Sequence, residues 1–141
     1  MRNLNGMVAW VTGAGTGIGA GAAIALAREG VHVILTGRRL EPLEIVAASI
    51  RESDGNVEVA QGDAMDRSGM KKIAADIVKA HGKLDLLFNN HGVNVTDRNW
   101  GGGNLDGWDE VIDVNVKGAY NCAHAALEVM RPKGEGTIIT T

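Results

Sequence analysis

Residues 7–19 read Met-Val-Ala-Trp-Val-Thr-Gly-Ala-Gly-Thr-Gly-Ile-Gly. The short apolar run Met7–Val11 ends in glycines, the pattern of a buried strand running into a turn. Ile18 to Glu29 then has the composition of a helix, stopped by Gly30. Strand, glycine-rich turn and helix form the context in which a glycine motif carries chemistry. Glycines let a backbone turn sharply and approach an anion without Cβ clashes. The helix starting near Ile18 aims free N–H groups at the same place. Its first turns hold no Asp or Glu to repel an anion. The alternative is a tight turn with close helix–sheet packing, which does not need so many glycines together.

A secretory leader is a competing reading of the same region. Residues 3–27 are uncharged, Ala25-Leu26-Ala27 resembles a cleavage site, and Gly13, Gly17 and Gly21 are spaced like a membrane-helix packing motif. Five glycines at alternating positions from 13 to 21 argue against it, because each costs a helix about 1 kcal/mol.

Downstream, apolar runs alternate with helix-period segments. Strands are expected at Val31–Leu35, Val57–Ala60, Leu84–Phe88 and Thr137–Thr140. Pro42 suits a first helical turn leading to Ile50. Asp66 is placed to cap a helix whose Met70, Ile73, Ala74 and Ile77 repeat at i, i+3, i+4, i+7, with Gly82 at its end. A polar loop from Asn90 to about Gly103 includes Trp100-Gly101-Gly102-Gly103, either a substrate-side loop or a plain connector. A single long helix, capped by Asn104 or Asp106, is expected to reach Met130, with Asp113, Lys117, Asn121, His124 and Glu128 on its polar face. Pro132 and Gly134 end it. Five strands alternating with four helices imply right-handed βαβ units: an α/β, doubly wound parallel sheet of Rossmann type.

The chain's 141 residues suit one domain with a real core. Fourteen basic against seventeen acidic side chains give a net charge of −3, and no basic run exceeds the pairs Arg38-Arg39 and Lys71-Lys72. Neither nucleic acid nor an anionic membrane is therefore an expected partner. The lone Cys122 allows no internal disulfide and fits a reducing, cytoplasmic compartment; beside Ala123 and Ala126 it reads as a packing residue. His32, His81, His91 and His124 are scattered, with no metal-ligand spacing among them or with Cys122, so no metal is expected.

Thr-Gly-x-x-x-Gly-Ile-Gly at residues 12–19 resembles the first turn of the short-chain dehydrogenase/reductase family. Further matches run along the chain: Gly62-Asp63, Asn89-Asn90-His91-Gly92, Trp108, Asp113-Val114-Asn115-Val116-Lys117-Gly118 and Gly136-Thr137-Ile138-Ile139. The resemblance implies an NAD(P)-dependent oxidoreductase moving hydride between a nicotinamide cofactor and an alcohol/carbonyl substrate, commonly as a homo-oligomer. It places the phosphates at Gly13, Gly15, Thr16, Gly17, Ile18 and Gly19. Adenine falls to Asp63 with the Ala64 backbone, the alternative for Asp63 being a loop acid capping a turn, and the ribose side to Asn90 and Gly92. An acid after the second strand would select NAD; Gly37-Arg38-Arg39 stands there instead, and Arg38 can pair with a 2′-phosphate, so NADP is favoured.

Asn115 corresponds to the family's helix asparagine, which bends the helix and holds a water in a proton relay with the catalytic lysine; the alternative is a helix asparagine bonded to a neighbouring loop, and in either case it is expected to be buried and to need partners. His91 stands where the family usually has alanine, either reshaping the pocket or donating a hydrogen bond near the nicotinamide end, or merely tolerated as a loop substitution.

The family's Ser and Tyr-x-x-x-Lys set lies past the fifth strand and has no counterpart here. The only tyrosine, Tyr120, is followed at 124 by histidine. Residues 1–141 are thus expected to be the cofactor-binding domain, incomplete at its C-terminal end and inactive alone. A non-catalytic nucleotide-binding or interaction module is the competing expectation.

Overall fold

The computed structural model describes residues 3–96 and 104–141; Trp100–Gly103, read above as a loop, lies outside them. Five strands, β1 (Val8–Thr12), β2 (His32–Thr36), β3 (Val57–Val59), β4 (Leu86–Asn89) and β5 (Thr137–Thr140), form one sheet. Its order is β3-β2-β1-β4-β5 and every pairing is parallel. The helices are α1 (Gly17–Arg28), α2 (Leu40–Arg51), α3 (Arg67–His81), α4 (Leu105–Ile112) and α5 (Ala119–Met130). The fold is the doubly wound α/β sheet that the alternation implied.

Side chains of a strand point alternately to its two faces, so a central strand covered on both sides is apolar throughout. All five residues of β1 are buried for this reason. Ala9 and Val11 share a cluster with Ala23 of α1 and Leu43 and Ala47 of α2. Val8 and Trp10 pack on the opposite face, against Met70 and Ala74 of α3 and Ala126 of α5. The small residues on α1 and α5 let these helices sit close to the sheet.

A buried indole needs a partner for its N–H. Trp10 Nε1 donates to Thr36 Oγ1 at 2.9 Å, and that hydroxyl donates to the Ala60 carbonyl at 2.9 Å. This relay crosses from β1 over β2 to the end of β3.

The long helix departs from expectation. It is three segments: α4, a π-helical stretch at Asp113–Gly118, and α5. Two side-chain contacts hold the wide turn. Asn115 bonds both backbone groups of Val93, through Val93 N–H to Oδ1 at 2.8 Å and Nδ2 to Val93 O at 3.0 Å. His91 Nε2 meets the Val114 carbonyl of this stretch at 3.2 Å. Asn115 is exposed rather than buried, yet both ends of its amide are bonded. Asn121, expected on the polar face, is instead buried against α3 and the loop before it. The fourth strand begins at Leu86 rather than Leu84, because Asp85 turns back to accept the Val8 N–H at 2.8 Å.

Leu35 is fully buried in the α1/α2 layer. Leu35→Ala is expected to cost about 2–5 kcal/mol of unfolding free energy, read as a lower urea midpoint at unchanged slope. A loss below about 1 kcal/mol would contradict this account of the core.

Candidate functional site

From β1 the chain moves outward to β2 and β3, then returns to the other side of β1 as β4. In open α/β sheets the crevice beyond such a switch point is where ligands bind. Here it opens past Thr12 and Asn89, which are register partners at the ends of β1 and β4.

The Thr12 hydroxyl ties this end together. It donates toward Asn89 Oδ1 at 3.2 Å and accepts from the backbone N–H of Asn90 at 3.0 Å and of His91 at 3.3 Å. Asn89 Nδ2 donates to the Ala119 carbonyl at 2.9 Å, joining β4 to the start of α5.

The glycines of the first turn do separate jobs. Gly13 has φ +61°, and a Cβ there would stand 2.8 Å from His91 Cα, a backbone atom that cannot step aside. At Gly19 a Cβ would fall 2.2 Å from the Gly13 carbonyl oxygen, so α1 rests directly on the turn. Gly17 has φ +56° with open space around it, and Gly15 lines the crevice. Close packing and an open cradle are therefore both present. Thr16, at the N-cap of α1, makes no side-chain cap, and the first turn carries no acid. That end keeps its partial positive charge for a ligand.

The crevice is lined by seven of the twelve residues singled out from the sequence: Gly13, Gly15, Thr16, Arg38, Asp63, Ala64 and Gly92. Gly17, Ile18, Gly19, Asn90 and Asn115 lie behind or beside it. Asn90 reaches the Gly13 carbonyl through Nδ2 at 3.4 Å and accepts from the Thr141 hydroxyl at 3.0 Å, so it braces the turn. Asn115 Oδ1 lies 3.2 Å from where a Gly92 Cβ would be, which leaves Gly92 little room for a side chain. Arg38 and Arg39 follow β2 and form one wall, with no acid at the strand end. Asp63 is exposed, and its Oδ1 accepts the Met65 N–H at 2.9 Å. The Ala64 carbonyl is held by Asn121 Nδ2 at 2.9 Å, and Asn121 Oδ1 takes Arg67 Nε at 3.2 Å.

His91 is neither a bystander nor a free group. Its Nδ1 lies 3.1 Å from Thr12 Oγ1 and its Nε2 3.2 Å from the Val114 carbonyl. A carbonyl only accepts, so Nε2 carries the proton and the bare Nδ1 shares the single Thr12 hydroxyl hydrogen with Asn89 Oδ1. Burial holds the His91 pKa below the ordinary imidazole value, against smaller upward pulls from the Val114 carbonyl and Asp63. The ring thus braces the π segment over the crevice while lining it. Cys122 is the packing residue expected: burial pushes its thiol up to about 12.

Sequence reading missed three parts of this end. Thr12 and Asn89 lay within quoted motifs but were given no role. Val93 acts through its backbone and leaves no side-chain signature. Asn121 could be found only by its contact with Ala64, 57 residues away.

A family model described as short chain dehydrogenase matches residues 7–141. An uncharacterized oxidoreductase of Listeria innocua is 34% identical over 93% of this chain and 52% of its own length. A metagenomic short-chain oxidoreductase solved in complex with NADP superposes with TM-score 0.89 at 34% identity, covering 99% of this chain and 63% of that one. An NAD+-bound xylitol dehydrogenase gives TM-score 0.93 at 31% identity over 99% of this chain and 54% of that one. The chain spans about half the length of the curated relatives it matches.

The lowered His91 pKa has a consequence for stability. Below about pH 6.5 the unfolded chain takes up a proton that the folded ring refuses. His91's contribution is therefore complete above that pH and is lost as pH falls through the lower folded value. The difference in unfolding free energy between the native chain and His91→Asn is expected to shrink from pH 7.5 to pH 5, measured by urea unfolding. A constant difference would contradict the neutral, partly buried ring.

Proposed function

The chain belongs to the short-chain dehydrogenase family, and from that premise we propose that residues 1–141 are the NAD(P)-binding domain of an oxidoreductase acting on an alcohol/carbonyl pair. The observation that carries this reading is the crevice at the switch point. The uncapped, acid-free start of α1 and the Gly13–Gly19 turn there meet a wall bearing two arginines. The residues fit a dinucleotide: a Cβ at Gly13 would close the turn on His91, and Gly17 stands in open space.

Bound, the nicotinamide would supply or take up a hydride. Gly15, Thr16, Gly17 and Ile18 would present backbone N–H groups to the pyrophosphate, with Gly13 and Gly19 shaping the turn. Asp63 and the Ala64 backbone would bind adenine. Asn90 braces the turn beside the ribose, and Gly92 lets the backbone pass close to the cofactor. Asn115 is assigned to the proton relay; its two hydrogen bonds to Val93 fix the strand-end loop next to Gly92. Arg38 would pair with a 2′-phosphate through its planar fork, which favours NADP over NAD. The solved relatives include one complex of each kind.

Leu105, Trp108, Ile112, Val116 and Tyr120 form an exposed apolar stripe from α4 to the start of α5, which supports pairing with a second apolar surface such as another copy of the chain. No helix among the described residues is long and apolar enough to cross a membrane. The single cysteine supports a cytoplasmic setting.

A second reading, a nucleotide-binding module without catalysis, is favoured by one feature: these 141 residues hold no Tyr-x-x-x-Lys set. The two readings agree that the purified chain binds NADPH and turns over no carbonyl substrate. Fluorescence titration is expected to show saturable NADPH binding; its absence would contradict both. Turnover by the purified chain would contradict the assignment of chemistry to groups outside these residues.

Arg38→Asp is expected to shift the NADPH:NADH affinity ratio toward NADH by at least about tenfold, the worth of one charge-assisted contact. An unchanged ratio would remove Arg38 from cofactor choice.

A further inference from the structure

At the opposite end of the sheet the fold assembles a cluster that sequence spacing conceals. His32 opens β2, Glu58 lies in β3 and His81 closes α3. Ile34 pairs with Glu58, so His32, two residues before Ile34, points to the same sheet face as Glu58. Ile77 of α3 packs on that face with Ile34, which brings the end of the helix over the two strands.

Both imidazoles converge on one carboxylate oxygen. His32 Nε2 and His81 Nε2 each lie 3.0 Å from Glu58 Oε1. The three ligand atoms fall within 4.8 Å of one another, and the ring centroids are 4.2 Å apart. His32 is aligned for a hydrogen bond to the carboxylate, whereas His81 Nε2 is enclosed and makes none. One carboxylate oxygen therefore stands beside two nitrogens but bonds only that of His32. A cation drawing on all three lone pairs resolves that mismatch. Ligands about 2.0–2.2 Å from a tetrahedral ion stand about 3.3–3.6 Å apart, so the two nitrogen–oxygen separations need to open by only a few tenths of an ångström.

We propose that His32, Glu58 and His81 form a binding site for a divalent first-row transition-metal ion. Two imidazoles and one carboxylate select the zinc type over calcium or magnesium, which prefer all-oxygen sets. Glu58 is half exposed, leaving the remaining coordination position to water. The ion clamps the three-residue strand β3, at the sheet's edge, to β2 and α3. It lies away from the crevice, so its role is independent of cofactor binding.

The test uses the untagged, chelator-treated chain in phosphate-free buffer at pH 7.5. Calorimetric titration with Zn2+ is expected to give one saturable site that raises the melting temperature. Co2+ at the same site is expected to give the visible absorption of a four-coordinate ion. Glu58→Gln and His32→Gln, at positions where the side chain is at least partly exposed, are each expected to weaken Zn2+ by at least about tenfold. Circular dichroism verifies their fold, and His124→Gln serves as a control with unchanged affinity. Absence of saturable binding by the native chain would overturn the proposal, as would equal affinity in the folded Glu58 and His32 variants.

Discussion

One buried hydroxyl constrains the functional end of this protein. Thr12 is the last residue of β1 and stands opposite Asn89, the last residue of β4. Its oxygen meets the Asn89 side chain, two backbone N–H groups and the His91 ring. Parallel strands part beyond a switch point, and the backbone there would be left without ladder partners. The hydroxyl supplies them, so the Gly13 turn and the Asn90–Gly92 loop emerge in fixed positions. Gly13 then passes so near His91 Cα that no side chain fits between them. The crevice is the space that remains once these contacts are made.

The same bonds reach the distant wall. His91 extends the Thr12 contact to Val114, Asn89 extends it to Ala119, and Asn115 locks the π segment onto Val93. Within the widened turn the Val114 carbonyl faces His91 Nε2 at 3.2 Å, and Gly118 leaves room for the imidazole, since a Cβ there would lie 2.6 Å from His91 Nε2.

The sheet and its helices were legible in the sequence because strands covered on both faces read as unbroken apolar runs, as Val8–Val11 and Val33–Leu35 do. The crevice was legible where backbone conformation demands glycine, at Gly13 and Gly17. The π segment was legible only in part: the resemblance implied a bend at Asn115, but its partner is the backbone of Val93, which any residue type could present. Asn121 was misplaced because a helical stripe reports spacing and not which side meets a loop. His32, Glu58 and His81 were invisible because strand register and the length of α3, rather than proximity in the chain, bring them together.

The central claim is that the strand ends at Thr12 and Asn89 build a dinucleotide cradle. The most direct measurement is an amide-resolved NMR titration of the chain with NADPH. The account predicts shifts concentrated at Gly13–Gly19, Gly37–Arg38, Asp63–Ala64 and Gly92, with His32, Glu58 and His81 unmoved. Shifts centred at the opposite end of the sheet, or none at saturating NADPH, would contradict it.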